Sequence, residues 1–495
     1  MSISYRVSLS MLLCMLLAYE ATAQNEPLSP ELKAIDELVQ WQKESFDVPG
    51  LAVGIIKNGE VYYTAAHGVQ GVGTQAPLTT KSLFHMASVS KPFVATAIVQ
   101  LMEQGKLKLE DKLIDHLPYF SMADHRHQRI TLAQMLNHSS GIPNVEDYEW
   151  DKPQYDEGAA ERYSRSFAEA KLDFRPGKKF SYSNAAFDIL CDVIAKASGM
   201  TFEDYIQQYI FEPVGMVNST FYKPDVPEAL ATQPHGLGED LSRVVNEVYP
   251  YNRRHAGSST LHSNVEDMLL WAQVNLNKGI INGNRIYKES SYDLLTTAQV
   301  QVNNRRSTGL SWFLSNMKDT RLIFHNGGDP GYSTFFGFFP ETKSALVLMV
   351  NIDGFRQENA AGVIMANALF GDKLAFQAPV HYKLKDYIFE EGMEKVKEVY
   401  YEEKNREPQR YNVRPGYFDD LGYWLMDRGD PEKALECFQF LVELEPEYAG
   451  WYDSVGDAYV ALDNIDVAIE WYRKALDIKP DQQFTIDKLE KLLKK

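Results

Sequence analysis

This chain of 495 residues predicts an α+β domain, an antiparallel sheet flanked by helices, followed by a separate all-α domain. Three observations carry that reading. Strand-like runs stand at both ends of the first three-quarters of the chain with helical patterns between them, and strand signals vanish past about residue 372. Beyond that point small, aromatic and proline residues recur at a period of about 34.

The amino terminus reads as a secretory signal, residues 1–23. Arg6 precedes an apolar stretch from Val7 to Ala18, and Ala21-Thr22-Ala23 forms a small-x-small cleavage site, so the mature chain begins near Gln24. The stretch is shorter than the roughly 20 residues a spanning helix needs, and no membrane span is expected after signal removal. Leu13, before Cys14, is not the small residue that lipid attachment favours. Cys191 and Cys437 remain, one in each domain, and read as buried thiols rather than a disulfide framework. Sparse cysteine in a secreted chain fits a bacterial periplasmic or secreted protein.

In the first domain, residues 24–372, Leu51 to Ile56 and Val61 to Ala65 read as strands joined at Asn58-Gly59, a strong hairpin signal. Ser88 precedes Pro92, and Phe93, Val94, Ala97, Ile98 and Leu101 follow at helical spacing up to Gly105, which sets Ser88 at a helix N-terminus. Ser263-Asn264-Val265-Glu266 reads as a capping box before Met268, Leu269, Trp271 and Ala272. Arg321 to His325, Thr334 to Phe339 and Ala345 to Asn351 close the domain as strands. Residues 373–385 read as a linker. In residues 386–495, Gly422, Ala434, Phe438 and Pro446 recur as Gly456, Ala468, Tyr472 and Pro480, at the tetratricopeptide period. Small residues let paired helices approach, aromatic residues fill the gaps and proline ends each second helix. A helix around Val396, Val399 and Tyr400 should precede these repeats, and Phe484 to Leu493 should cap them.

A formal net charge of −18 disfavours nucleic acid and anionic membrane surfaces as partners. Neither a metal nor a cofactor is expected. The one dense group of ligand-type residues, Asp124-His125-Arg126-His127, lacks HExxH or HxHxD spacing and reads as a solvated loop. A GxSxG hydrolase elbow is approached only at Gly331-Tyr332-Ser333-Thr334-Phe335, which fails at its last position.

The chemistry concentrates in Ser88-Val89-Ser90-Lys91, joined downstream by Tyr182-Ser183-Asn184 and His325-Asn326-Gly327. Ser and Lys three apart on a helix share a face, so a buried amine of depressed pKa can take the hydroxyl proton. The helix terminus favours the developing negative charge. A second SxxK, Ser315-Asn316-Met317-Lys318, lies before a strand-like run and reads as a hairpin end.

These motifs, with Ile130 to Pro143 (ITLAQMLNHSSGIP), Pro176-Gly177 and Glu212-Pro213-Val214-Gly215-Met216, resemble the serine β-lactamase and penicillin-binding-protein-like superfamily, above all its class C-like branch, over roughly residues 30–370. The C-terminal part resembles the tetratricopeptide extensions that some of these bacterial hydrolases carry. The resemblance implies Ser88 as acylated nucleophile, Lys91 as its amine partner, and Tyr182 as a proton-network phenol whose pKa a neighbouring ammonium lowers. It implies Asn184 as a donor to the substrate amide, and the N–H groups of Ser88 and Gly328 as oxyanion-hole donors, a glycine at 328 allowing close approach.

His325 stands where many β-lactamases and penicillin-binding proteins carry a lysine that meets the substrate carboxylate. Histidine titrates near neutral pH, so carboxylate binding is expected to be weaker and pH-dependent. The resulting HxG pattern, His325 to Gly327, is similar to that of D-aminopeptidase-like and esterase-like members. The expected activity is therefore hydrolysis of amide or ester bonds in a small-molecule or peptide substrate through an acyl-enzyme, of the D-aminoacyl peptidase, carboxypeptidase or esterase kind. Two alternatives stand beside it: a β-lactamase with real turnover, and a penicillin-binding sensor or scaffold whose helical repeats bind a protein or peptide partner.

Overall fold

The computed structural model describes residues 28–494, so the signal segment and Cys14 lie outside the described residues. An eight-stranded antiparallel sheet organises the first domain. Its strands are β1 (Gly50–Lys57), β2 (Glu60–Gly68), β3 (Val300–Asn303), β4 (Arg306–Thr308), β5 (Phe313–Met317), β6 (Thr320–Asp329), β7 (Tyr332–Phe339) and β8 (Ser344–Val350). They lie in the order β2-β1-β8-β7-β6-β5-β4-β3. The first hairpin therefore pairs with the last strand, Leu51 opposite Val350, and closes the domain on itself. The sequence reading found β1, β2 and β6 to β8; it missed β3 to β5, which are short and polar at their exposed positions.

Strand period explains why the central strands read as unbroken apolar runs. In β8, Ala345, Val347 and Met349 enter one core while Leu346, Leu348 and Val350 enter another on the opposite face. Helices cover both faces: α1 (Pro30–Ser45) and α5 (Gln357–Phe370) on one, and α2 (Lys91–Glu103), α3 (Asn184–Ser198) and α4 (Val265–Leu276) on the other. Gly54 lets α4 approach β1, since a Cβ there would stand 2.7 Å from Val265 Cγ1. Helix α2 is buried continuously from Lys91 to Leu101, and Phe93 stacks on Trp271 of α4 with ring centroids 4.5 Å apart. The cap of α4 sits one residue later than expected. Asn264, not Ser263, accepts from the Asp267 amide at 2.8 Å, because Ser263 is drawn into a short strand pairing with Phe84.

The second SxxK does mark a hairpin: Lys318 and Asp319 both have positive φ between β5 and β6. Asp124 to His127 form a capped 3-10 turn in which Arg126 pairs with Asp124, and His127 is buried against Phe120 rather than solvated. Both Cys191 and Cys437 are buried free thiols.

The C-terminal helices are α6 (His381–Ile388), α7 (Gly392–Lys404), α8 (Tyr417–Met426), α9 (Pro431–Leu444), α10 (Ala449–Ala461), α11 (Ile465–Ile478) and α12 (Gln483–Leu493). Helix α6 begins inside the stretch expected to be a linker. Pairs α8–α9 and α10–α11 are the two repeats, preceded by α7 and capped by α12. No described helix is long and apolar enough to cross a membrane.

Candidate active site

Ser88 lies in a 3-10 turn, Ala87–Ser90, that runs directly into α2. Ala87 before it has φ +48, a left-handed conformation that costs a non-glycine residue roughly 1–3 kcal/mol and survives only where surroundings impose it. They do. The Met86 amide donates to Leu261 O at 2.7 Å, Met86 O accepts from Thr334 Oγ1 at 2.9 Å, and Ser90 Oγ accepts from the Leu261 amide at 3.0 Å. Ser88 remains partly exposed while its neighbours are buried.

Lys91 is fully buried and its Nζ donates to Ser88 Oγ at 2.9 Å and to Ser258 O at 2.8 Å. Burial lowers its pKa to about 7, against the opposing pull of Asp188 and Asp329. Asp188, on α3, is in turn held by His255 Nδ1 and the Ser258 amide, each at 2.8 Å. One buried carboxylate thus orients the turn whose carbonyl fixes Lys91.

Tyr182 precedes Ser183, the N-cap of α3, whose Oγ accepts from the Ala186 amide. Its ring stacks on His138 at 4.3 Å, and Lys91 Nζ stands 4.9 Å from the ring centroid. The lowered phenol pKa expected from the sequence is not found: burial pushes it up, with Asp329 and Asp188 adding to the rise, although its hydrogen bond with Ser88 pulls the other way. Lysine, not tyrosine, is the group that can hold and release a proton near neutral pH. Asn184 opens α3, its backbone amide donating to Asn144 Oδ1 at 2.8 Å.

His325, in β6, is buried and donates from Nδ1 to Asn326 O at 2.7 Å. Burial, reinforced by Lys91, lowers its pKa to about 3. The near-neutral titration anticipated for it gives way to a neutral ring whose Nε2 has no partner among the described residues. His138 mirrors it. Its Nδ1 accepts from the Ser183 amide at 3.2 Å, which leaves the proton on a buried Nε2 that has no partner among the described residues.

Gly327 lies against the turn at Ser88, and a Cβ there would stand 2.3 Å from Met86 O and 2.4 Å from Thr334 Oγ1. At Gly328 the nearest atom to such a Cβ is Gln357 Nε2 at 3.8 Å, so the close approach belongs to Gly327 rather than Gly328. All seven residues singled out in the sequence lie on the turn at Ser88 and the first residue of α2, at or just before the start of α3, or in the second half of β6. Sequence reasoning left Asp188, Ser258 and Asp329 out of the site and took His138 as a structural residue, where it packs on Tyr182. A buried Asp one turn into an apolar helix was the one signal available for Asp188. Among the described residues no group of three or more His, Cys, Asp or Glu side chains is arranged to hold a metal ion.

Residues 35–369 match the family model described as beta-lactamase, and residues 452–482 match a tetratricopeptide repeat model. Penicillin-binding protein 4* of Bacillus subtilis is 29% identical over 334 residues, covering 63% of this chain and 69% of that protein. Protein flp of Staphylococcus aureus is 26% identical over 322 residues, 64% of this chain; the match spans 63% of that relative, less than two-thirds of its length. Two solved structures share the fold. One is the octameric penicillin-binding protein homologue from Pyrococcus abyssi (TM-score 0.59, 24% identity, 67% of this chain and 76% of that one). The other is a penicillin binding protein from Bacillus halodurans (TM-score 0.57, 24% identity, 66% and 97%).

Proposed function

We propose, from the premise that the chain belongs to the beta-lactamase family of serine hydrolases, that it cleaves amide or ester bonds through an acyl-enzyme on Ser88. The activity is of the D-aminoacyl peptidase, carboxypeptidase or esterase kind. The observation that carries this reading is the 2.9 Å contact between Ser88 Oγ and a buried lysine amine that is close to half neutral at pH 7. Neutral Lys91 takes the Ser88 proton as Oγ attacks the substrate carbonyl. The oxyanion meets the N–H groups of Ser88 and Gly328, and Asn184 donates to the substrate amide. The Lys91 ammonium returns its proton, through Tyr182, to the leaving amine or alcohol. Water then attacks the ester carbonyl, giving its proton to Lys91, and Ser88 recovers the hydroxyl as the acid departs.

A neutral His325 offers no cation to a substrate carboxylate, so rapid penicillin or cephalosporin turnover is not the main activity. The 1–23 signal supports a periplasmic or secreted setting, and the helical repeats support docking of a protein or peptide partner. Intact mass spectrometry with a fluorophosphonate and a panel of aminoacyl esters tests the reading. Adduct formation and product release should both disappear in Ser88→Ala, a loss of about a thousandfold or more. Product release surviving in that variant sinks the assignment, as does high β-lactam turnover by the unaltered protein for the substrate class.

A further inference from the structure

The stretch Ile130 to Pro143, one of the motifs behind the family resemblance, has no part in the proton transfers above. Its short helix, Leu132–Leu136, is capped by Asn137, and His138 follows in a left-handed conformation, φ +58. Glycine or asparagine is the ordinary residue at such a helix exit, because a larger side chain strains the backbone there. His138 is nonetheless fully buried, and its contacts account for its presence.

Three contacts from this one residue fall on three successive residues. His138 O accepts from the Ser181 amide at 2.8 Å, and its Nδ1 accepts from the Ser183 amide at 3.2 Å. Between those two amides, the Tyr182 ring stacks on the imidazole with centroids 4.3 Å apart and planes 24° apart. The chain on either side is tied down nearby: Ser139 O accepts from the Gly177 amide at 2.8 Å, and Asn144 Oδ1 accepts from the Asn184 amide at 2.8 Å. The amide bonds fix the backbone on both sides of Tyr182, and the stack fixes the plane of its ring. The ring so held has Lys91 Nζ 4.9 Å from its centroid, and its hydroxyl hydrogen-bonds with Ser88. A side chain that only filled space would need no acceptor at Nδ1.

We propose that His138 is a positioning residue for Tyr182, holding the phenol where it passes the proton of the Lys91 ammonium to the leaving group. This rests on the acyl-enzyme reading above. The test labels Ser88 in the full chain with two aryl esters of one phosphonate, read by intact mass. In each, Ser88 Oγ bonds to phosphorus, its proton passes to Lys91 and the aryloxide departs. The 4-nitrophenoxide leaves as the anion, whereas the more basic phenoxide depends on a proton delivered through Tyr182. Both probes sample the same folded fraction, so the ratio of their rates is insensitive to lost stability. His138→Asn keeps an acceptor without the ring and suits the left-handed backbone, and His138→Phe keeps a ring without the acceptor. In either variant the phenoxide probe should slow about tenfold or more relative to the other, as it should in Tyr182→Phe. Adding Tyr182→Phe to His138→Asn should lower the ratio no further, because both changes act on one group. A ratio that Tyr182→Phe lowers and neither His138 variant changes overturns the inference alone, as does a fully additive loss in the double variant. Labelling whose ratio ignores Tyr182→Phe overturns the proton route with it, and failure of both probes to label Ser88 overturns the acyl-enzyme reading as well.

Discussion

Lys91 shows how burial sets the chemistry of one side chain. Taken out of water and given only carbonyl and hydroxyl partners, its amine gives up the proton near pH 7 instead of the ordinary 10.5. The reactive form is the neutral one, so its fraction grows as pH rises through about 7 and then saturates. The rate of fluorophosphonate labelling at Ser88 should therefore climb close to tenfold per pH unit well below that point and flatten above about pH 8. A flat profile across the range would remove Lys91 as base. Ser88 and Lys91 were legible in the sequence because helical spacing alone puts them on one face. The charge of His325 was not, since it depends on Phe313 and Tyr182 packed around the ring and on Lys91 beside it.

Between elements, the helical repeats turn a 34-residue recurrence into contact geometry. Gly422 in α8 faces Phe438 in α9, and Gly456 in α10 faces Tyr472 in α11; a Cβ would meet those rings at 2.2 and 2.4 Å. Alanine in mid-helix ordinarily stabilises by about 1 kcal/mol over glycine. Here Phe438 is fully buried and cannot yield, so the overlap decides the sign. Gly422→Ala is expected to destabilise the protein by about 1–3 kcal/mol. Adding Phe438→Leu should restore part of that loss in a denaturant melt, and a stabilised single variant would refute this packing account. The paired residues were legible from sequence because each repeat solves the same packing problem. Strands β3 to β5, at and next to one edge of the sheet, were not, because such short segments show their period only once a neighbour pairs with them.

Across the whole molecule, the two domains share one apolar core on the outer face of the sheet. Phe46, Leu348 and Ile364 belong to the same cluster as Tyr400, Phe418 and Leu441. Polar pins reinforce it: Arg428 donates to Gly238 O at 2.8 Å and Leu237 O at 3.1 Å, and Lys385 reaches Asp47 at 2.9 Å. A fully buried large apolar side chain contributes roughly 1.5–3 kcal/mol, against about 5–15 kcal/mol for a whole domain. A chain ending at residue 385 should therefore melt well below the full protein or aggregate, with Ser88 labelling reduced in step with the folded fraction. An unchanged melting temperature and labelling rate would show that the repeats are an independent appendage. The sequence by itself determined the fold class, the repeat and the placing of Ser88 beside Lys91, because period and short spacing are local properties of a chain. Only the tertiary structure decided that His325 is neutral, that burial lowers the pKa of Lys91 and raises that of Tyr182, and that the repeats are docked. Each of these follows from which distant groups exclude water from, or lend charge to, a given side chain.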